Sequence, residues 1–321
     1  MWKTILRRLL ILIPQLLILS LIVFLLGNAM PGDALTGLMS ADMRYEDIAG
    51  MREALGLDRP WPVRYVEWIG GIILEGDFGR SFTHARPVMD LIGERAPNTF
   101  RLSLVTAIFF YMLAIPLGLL AGRFRETLLD RAIIFYTFFA LAMPSVIFAL
   151  INIFIFGFGL RWFPIQGSVD VRLVGQGAAY WMSRLQHLVL PAFTGAFIGT
   201  TAAINVLRSE IINYENSDFV MTARAKGVPR RIVYTRHIFR NACLPIAAGL
   251  GFVIAGLLGG SVLIENVFAY PGMGNLFVTS ITQRDFAVAN VLILMFGALT
   301  VLGTLLSDLL MIAVDPRIRI K

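Results

Sequence analysis

Long apolar runs recur along the chain and dominate its hydropathy pattern. Six of them are long enough to cross a hydrocarbon core about 30 Å thick, which takes roughly 20 helical residues. No Asp, Glu, Lys or Arg occurs within these runs, and stretches such as IIFYTFFALAMPSVIFALINIFIF are apolar on every helical face. A membrane β-barrel would alternate apolar and polar residues over about ten positions, so the pattern predicts transmembrane helices. The predicted spans cover residues 9–29, 102–122, 133–160, 188–207, 244–264 and 287–306.

Basic residues precede the first apolar run, an arrangement that signal peptides share. This run exceeds the ~7–15 residues of a signal peptide's apolar region, and the residues from Asn28 to Pro31 make a poor cleavage site. We therefore predict that residues 1–30 stay as an N-terminal transmembrane anchor helix.

Residues 31–94 are too long for a simple turn and are predicted to form an extracytoplasmic segment with amphipathic helices. One helix is expected where Ile48, Met51 and Leu55 repeat at helical spacing before a glycine. A second is expected around Tyr65 and Trp68, whose rings suit either the headgroup level of a membrane or packing against the helix bundle.

Prolines and glycines inside the spans predict their irregularities. Pro116, Pro144 and Pro191 remove backbone donors and predict kinks or breaks, which can shape a path or be ordinary irregularity. Glycines crowd the span at 244–264 and predict close helix packing, because small residues let backbones approach.

The composition agrees with a membrane protein, with 57% hydrophobic and only 15% charged residues and a mean hydropathy of +0.74. Lys and Arg concentrate in alternate connecting segments. With the N-terminus inside, the inside segments hold 16 basic and seven acidic residues, and the outside segments hold 12 and 14. Because positively charged loops resist translocation, both termini are predicted to be cytoplasmic. This distribution explains the net charge of +7 without a nucleic-acid partner.

The chain has no evident energy source of its own for transport. Its three lysines, Lys3, Lys226 and Lys321, lie outside any G-x-x-x-x-G-K-[ST] loop, which would bind a nucleotide. Asp308 is the only carboxylate that we place close to a span core, which disfavours coupling to protons or sodium ions.

Enzyme chemistry is equally poorly supported. His84, His187 and His237 fall in separate segments, so we expect neither a metal site nor a catalytic site from them. HExxH and GxSxG patterns are absent from the sequence, and the single Cys243 cannot form an internal disulfide. The chain is therefore predicted to be a non-catalytic membrane subunit.

Energy from a partner would have to enter through the basic loop at residues 209–243. A short helix over residues 219–227 carries Ala223 and Ala225, which permit close contact with a groove, and Gly227 provides the stop. By composition alone, a solvated basic loop that only enforces topology is an equally good interpretation.

This loop resembles the coupling motif of binding-protein-dependent ABC importer permeases, E-A-A, three residues, G, nine residues, I-x-L-P. The E-A-A and G positions here hold Met221, Thr222, Ala223 and Gly227. The glutamate and one alanine are therefore missing, and the proline stands at Pro245, five residues later than the motif places it.

Both departures are similar to the peptide and nickel branch of these importers, whose loop resembles T-A-x-A-K-G followed by H-x-x-x-N-A-x-x-P. The matching residues are Thr222, Ala223, Ala225, Lys226, Gly227, His237, Asn241, Ala242 and Pro245. The opening of the chain, YPGMGNLF at 270–277 with the following Arg-Asp pair, and DPRIR at 315–319 also resemble that branch. The stretches LGLDRPWPVRY and GDFGRSF are similar to its B-type permease.

The resemblance implies an all-α polytopic membrane protein with six transmembrane helices and the type I ABC importer permease fold. It implies a permease domain with five transmembrane helices at residues 95–312 and a cytoplasmic tail at 313–321. The residues implied to couple to the ATPase are Asp218, Thr222, Ala223, Ala225, Lys226, Gly227 and His237. The residues implied to face the extracytoplasmic receptor are Tyr270, Pro271, Gly272, Gly274, Arg284 and Asp285.

The resemblance also implies an assembly in the bacterial cytoplasmic (inner) membrane. Its members would be this chain, a second, C-type permease, two cytoplasmic ATPase subunits and an extracytoplasmic substrate-binding protein. The ATPases would use ATP and Mg²⁺, this chain would bind no cofactor, and short peptides would cross by alternating access. Uncharged spans suit peptides of varied side chain, because a fixed charge would discriminate by sequence. Two alternatives stay open: the same machine importing nickel or another small solute, and a membrane assembly protein without transport.

Overall fold

The computed structural model describes residues 2–29, 50 and 58–314, and all regular elements among them are helical. The α-helices are α1 Trp2–Ala29, α2 Trp61–Gly70, α3 Val88–Arg123, α4 Leu128–Ala142, α5 Ser145–Asn152, α6 Ala178–Glu215, α7 Asp218–Ala225, α8 Arg230–Ile232, α9 Phe239–Ala242, α10 Leu244–Gly259, α11 Val262–Val267, α12 Met273–Thr282 and α13 Phe286–Val314. The basic segment comprises residues 209–243, and the glycine-turn segment comprises residues 260–285.

The long helices run between these two segments, which lie at opposite ends of the bundle. α3 begins beside the glycine-turn segment, where Thr99 donates a hydrogen bond to Glu265, and ends where Arg123 lies over the ring of Tyr234 in the basic segment. α6 leads into the basic segment, α10 returns from it, and α13 runs back again. Five helical stretches are long and apolar enough to cross a membrane, among the residues that the structure describes.

The third predicted span is a broken one. α4 and the helix Ser145–Gly159 meet at an angle of 105°. Pro144 causes the break, because its ring forces Met143 into an extended conformation and it has no N–H to donate. Counted as one span, the pair would bring the number of membrane-spanning stretches among the described residues to six. Pro116 and Pro191, by contrast, lie inside continuous helices.

Glycines set the closest helix contacts. Gly118 and Gly122 of α3 face Leu207 and Ile211 of α6, and a Cβ at these glycines would come within 2.9 Å and 2.7 Å of those side chains. A bulkier residue at either glycine would push the two helices apart, so the α3–α6 contact depends on the missing side chains.

The glycines of the fifth span have two structural roles, close packing between helices and open space. Gly251 of α10 lies against the backbone of α13 at Ser307, whose hydroxyl donates a hydrogen bond to the Ala248 carbonyl. The predicted close packing is confirmed at this point. Gly249 and Gly256, however, have no atom within 4 Å of an added Cβ, so they contribute open space instead.

The second amphipathic helix, α2, packs against the anchor helix α1. The rings of Tyr65 and Trp68 lie 5.5 Å and 5.8 Å from the ring of Phe24, and the Tyr65 hydroxyl is 2.8 Å from that of Ser20. Tyr65 and Trp68 therefore pack against the helix bundle, as one of the two alternatives predicted. Val66, on another side of α2, is exposed.

Two sequence predictions fall largely outside the described residues. The first amphipathic helix, at residues 48–55, is described only at Gly50, and the cytoplasmic tail only at residues 313 and 314, which belong to α13. The proposed boundary between residues 94 and 95 lies within the continuous helix α3.

Candidate functional site

The helix α7 in the basic segment ends in a Schellman motif. The N–H of Val228 donates to the carbonyl of Ala223 at 3.2 Å, and that of Gly227 donates to Arg224 at 3.0 Å. This motif needs a left-handed residue after the helix, and Gly227 has φ +75°. An added Cβ at Gly227 would meet no atom within 4 Å, so the requirement for glycine is conformational.

One face of α7 anchors the helix to its own chain. Val220 and Ala223 are buried, and they pack in an apolar cluster with residues of α6 and of the rest of the basic segment. The other members of this cluster are Leu207, Ile211, Val233, Tyr234, Ile238 and Ala242. Ala223, which the resemblance implies to couple to the ATPase, is buried against its own chain.

The exposed face of α7 carries apolar side chains, although the ring of Phe219 lies 6.0 Å from that of Tyr214. Met221 and Phe219 keep 53% and 40% of their surface exposed. Arg224, which pairs with Glu215, is exposed too, and the remaining exposed positions are Asp218, Thr222, Ala225, Lys226 and Gly227, which were all predicted to couple to the ATPase. Sequence analysis did not select Phe219 and Met221, although apolar residues in a basic loop are a signal for them. His237 lies apart from this face, half-buried in a π-helical turn at Val233–Ile238.

Polar contacts connect α7 to the end of α6 directly and to the end of α3 through Tyr234. The Glu215 carboxylate at the end of α6 accepts from the Tyr234 hydroxyl at 2.6 Å and from Arg224 of α7 at 3.1 Å. The guanidinium of Arg123, at the end of α3, lies 5.4 Å from the centre of the Tyr234 ring. Burial and the bond to Glu215 raise the pKa of Tyr234, so its hydroxyl stays a donor at neutral pH. The helix α7 is therefore bonded directly to the end of α6 through Glu215, and Tyr234 links this pair to the end of α3.

A buried ion pair joins α4 to α6 near the same end. Arg208 of α6 makes two hydrogen bonds to Asp130, at 2.8 Å and 2.9 Å, and the Asp130 side chain is 2% exposed. Asp130 also accepts from the backbone N–H of Glu126. Sequence analysis counted these charges only as signals of topology, because the pairing joins residues far apart in the chain.

The glycine-turn segment surrounds a buried carboxylate that sequence analysis missed. Glu265 is completely buried, and it accepts hydrogen bonds from the Thr99 hydroxyl at 2.9 Å and from the N–H groups of Gly274 at 2.7 Å and Asn275 at 3.1 Å. The last two groups belong to the first turn of α12, whose positive end favours a negative charge.

The glycines of this segment leave room for that carboxylate. A Cβ at Gly260 would lie 2.6 Å from Oε1 of Glu265, and one at Gly272 would overlap Oε2. A Cβ at Gly274 would lie 2.7 Å from the Cα of Val262. Glycine at these positions therefore leaves space for the Glu265 carboxylate in addition to permitting turns.

Most residues predicted to face a receptor are interior. Tyr270, Gly272 and Gly274 are buried, and burial raises the pKa of Tyr270 to about 12. Pro271 is half-buried, while Arg284 is exposed. Any direct contact between this set and a receptor thus depends on Pro271 and Arg284.

Asp285 is also interior and connects two elements. Its carboxylate accepts hydrogen bonds from the Ser81 hydroxyl and from the backbone N–H of Thr83 at 3.3 Å. Its other oxygen accepts from the N–H of Val288, in the first turn of α13, at 3.5 Å. Asp285 therefore caps α13 and fixes the chain around residues 81–83 to it.

Among the described residues, no three His, Cys, Asp or Glu side chains are grouped so that they could hold a metal ion. His187 instead hydrogen-bonds the Ser183 carbonyl through Nδ1 at 2.7 Å.

Comparison with known proteins gives matches over nearly the whole chain. The family described as "Binding-protein-dependent transport system inner membrane component" matches residues 114–320, and the family of the corresponding N-terminal region matches residues 1–104. The oligopeptide transport system permease protein AppB of Bacillus subtilis is 37% identical over 315 residues, which cover 98% of each chain. The glutathione transport system permease protein GsiC of Salmonella typhi is 34% identical over 322 residues, with 100% of each chain covered. A probable peptide ABC transporter permease of Sinorhizobium fredii, y4tP, is 32% identical over 315 residues, or 98% of each chain.

Proposed function

The chain belongs to the permeases of binding-protein-dependent ABC importers in the bacterial cytoplasmic membrane, and from this we propose that it carries short peptides across that membrane by alternating access. The relatives' names support a peptide cargo, since two of them name oligopeptide or peptide transport and a third names glutathione.

The exposed face of α7 is proposed to contact a partner ATPase. The observation that carries this proposal is the division of α7 into two faces, with Val220 and Ala223 holding it to its own chain while Phe219 and Met221 are exposed. An apolar surface beside basic residues suits a groove in a soluble protein. Closure of the ATPase pair would push α7, and the bonds of Glu215 would pass the displacement to α6.

Family membership implies ATPase and substrate-binding partners in general. More specifically, we propose two ATPase subunits on the side of the basic segment, a C-type permease beside this chain and a receptor on the side of the glycine-turn segment. ATP and Mg²⁺ are assigned to the ATPases, and this chain is proposed to bind no cofactor. The excess of Lys and Arg supports a cytoplasmic basic segment.

Uptake by the reconstituted complex tests the cargo. Proteoliposomes that contain both permeases and both ATPases, with the binding protein added outside, are expected to take up labelled short peptides only when ATP is enclosed. Labelled nickel ions serve as the competing cargo, and vesicles without ATP serve as the control. ATP-dependent uptake of nickel without peptides would replace the peptide proposal with its alternative. Failure of this chain to co-purify with any ATPase would favour an assembly protein.

A further inference from the structure

A cavity of about 260 Å³ lies between α3, α6 and α10, next to the glycine-turn segment. Its lining includes Ser103, Thr106, Gly199, Gly256, Ser261 and Ile264. The described residues that line it carry no charge, and only three of the thirteen bear a hydroxyl group. Such a mainly apolar lining does not select a peptide by its charge.

The part of the cavity beside Gly256 is not filled by other residues of the chain. An added Cβ there would meet no atom within 4 Å, although Gly251 on the same helix lies directly against α13. The two glycines thus have different consequences: Gly251 brings helices together, and Gly256 leaves the cavity open.

The cavity ends at a hydrogen bond between two of its walls. Ser261 and Ile264 form one wall immediately before Glu265, and Ser103 lies one helical turn after Thr99 on the other wall. The Thr99 hydroxyl donates to Oε1 of Glu265 at 2.9 Å, and both residues are completely buried. This bond therefore fixes the separation of α3 and α11 at that end of the cavity.

Burying a carboxylate costs more free energy than a purely structural helix cap requires. A serine or asparagine side chain suffices to cap α12, whereas Glu265 brings a negative charge into the apolar stretch Leu244–Val267. Ionisable residues within membrane spans mark functional sites more often than structural ones. Its two oxygens let Glu265 hold α12 through Gly274 and Asn275 with one, and α3 through Thr99 with the other.

We propose that Glu265, acting through Thr99, is a positioning residue for transport: it holds the cavity walls together at the glycine-turn end, and the walls separate there when a peptide passes. The proposal rests on the proposed function for the identity of the cargo. The wall-holding role itself is testable without any peptide.

The test measures how fast a thiol in the cavity reacts with a charged reagent. Cys243 is replaced by alanine, Ser103→Cys places the thiol, and the complete complex without binding protein is treated with a sulfonate-bearing methanethiosulfonate. This reagent reacts only with thiols that water reaches. Thr99→Val and Glu265→Leu each remove the bond between the walls, and both are expected to speed the reaction about tenfold, which corresponds to about 1.4 kcal/mol.

Two further variants separate positioning from general stability. Thr99→Ser keeps the donating hydroxyl and is expected to restore the parent rate. Ser280→Ala removes another buried hydroxyl of the same segment, one that bonds only the Leu276 carbonyl, and is expected to leave the rate unchanged. If Glu265→Leu does not reach the membrane, the two Thr99 variants decide the outcome.

An unchanged rate in Thr99→Val, accompanied by a lower melting temperature, would show that the bond is merely structural and overturn the proposal. An equal increase in Ser280→Ala would overturn it too, because any loosening of the segment would then suffice. A complex that imports no peptide but shows the expected rates would overturn the proposed cargo while leaving the positioning role intact.

Discussion

A buried carboxylate such as Glu265 loses its hydration and must be compensated by hydrogen bonds. Glu265 obtains them from Thr99 and the first turn of α12, and glycines at three positions make the necessary space. Asp130 is compensated differently, by two bonds to the guanidinium of Arg208. Such pairs are costly to break, because removal of one partner leaves the other charge buried.

Gly274→Ala is expected to destabilise the permease. The new Cβ would lie 2.7 Å from the backbone Cα of Val262, which a side-chain rotation cannot relieve. Overpacking of this kind typically costs about 1–3 kcal/mol. Thermal unfolding of the purified permease in detergent is expected to show a clearly lower midpoint.

Gly249→Ala is the matched control for that measurement. Gly249 lies inside the helix α10, and an added Cβ meets no atom within 4 Å. Alanine favours a helix over glycine by about 1 kcal/mol, so an unchanged or higher midpoint is expected. Equal loss of stability in both variants would contradict the role given to the glycine-turn segment.

Cys243 is expected to resist thiol reagents at neutral pH. Burial raises the pKa of its thiol to about 11, and only the thiolate is nucleophilic. At pH 8 roughly one thiol in a thousand is ionised at that pKa, against about a quarter for an exposed cysteine with a pKa near 8.5. The labelling rate should therefore climb about tenfold per pH unit from 8 to 10. A rate that levels off near pH 9 would contradict the raised pKa.

At the scale of elements, the local sequence can break or end a helix, whereas packing between helices decides whether a proline is tolerated and which side of a helix is exposed. Pro144 breaks a span, whereas Pro116 and Pro191 lie within continuous helices. Neighbouring helices decide whether a proline's missing hydrogen bond is tolerated. The helix α7 likewise has a sequence-encoded stop at Gly227, but only its packing decides which side remains exposed.

Substitutions on the two sides of α7 are expected to affect different properties, namely the stability of the permease on the buried side and ATPase binding on the exposed side. Val220→Ala removes buried apolar volume and should lower the unfolding free energy of the permease alone by about 2 kcal/mol. Met221→Ala changes an exposed side chain and should leave that stability unchanged while weakening capture of the purified ATPase. Thermal unfolding and ATPase pull-down are measured on both variants. Normal ATPase capture by Met221→Ala and by a Phe219→Ala, Met221→Ala double variant would exclude this face as the contact.

At the scale of the whole molecule, the described long helices connect the two ends of the bundle. α1 lies antiparallel to α13, because Gly27 lies beside Asn290 and Gly297 beside Leu19, and Ser307 near the end of α13 lies beside Gly251, so the start of α1 and the end of α13 lie towards the basic segment. The cluster around Val220 and Tyr234 and the pair Asp130–Arg208 all lie at that end, while Glu265 and Asp285 lie at the other.

Labelling from the two sides of the membrane tests this arrangement. Lys226→Cys, in the exposed part of the basic segment, is expected to react with an impermeant maleimide in inside-out vesicles but not in intact spheroplasts. Val171→Cys, in the highly exposed connection before α6, should give the opposite result. Reaction of position 226 from outside intact cells would refute the orientation and, with it, the ATPase contact.

The sequence by itself determined the helical class, the location of the spans and the basic segment. These features follow from hydropathy, charge and local turn chemistry, which are properties of neighbouring residues. It also provided five of the eight exposed positions at residues 218–227, including Thr222 and Lys226. It could not show that Tyr270 and Asp285 are interior, or that Glu265 is the residue around which their segment folds.

Only the tertiary structure decided those points, because burial depends on contacts between residues distant in the chain. Thr99 and Glu265 are separated by 166 positions, and Asp130 and Arg208 by 78. No pattern within a short window distinguishes such a carboxylate from one in a solvated loop. The angle at Pro144 and the open cavity at Gly256 depend in the same way on which helices are adjacent, and only the folded chain specifies that.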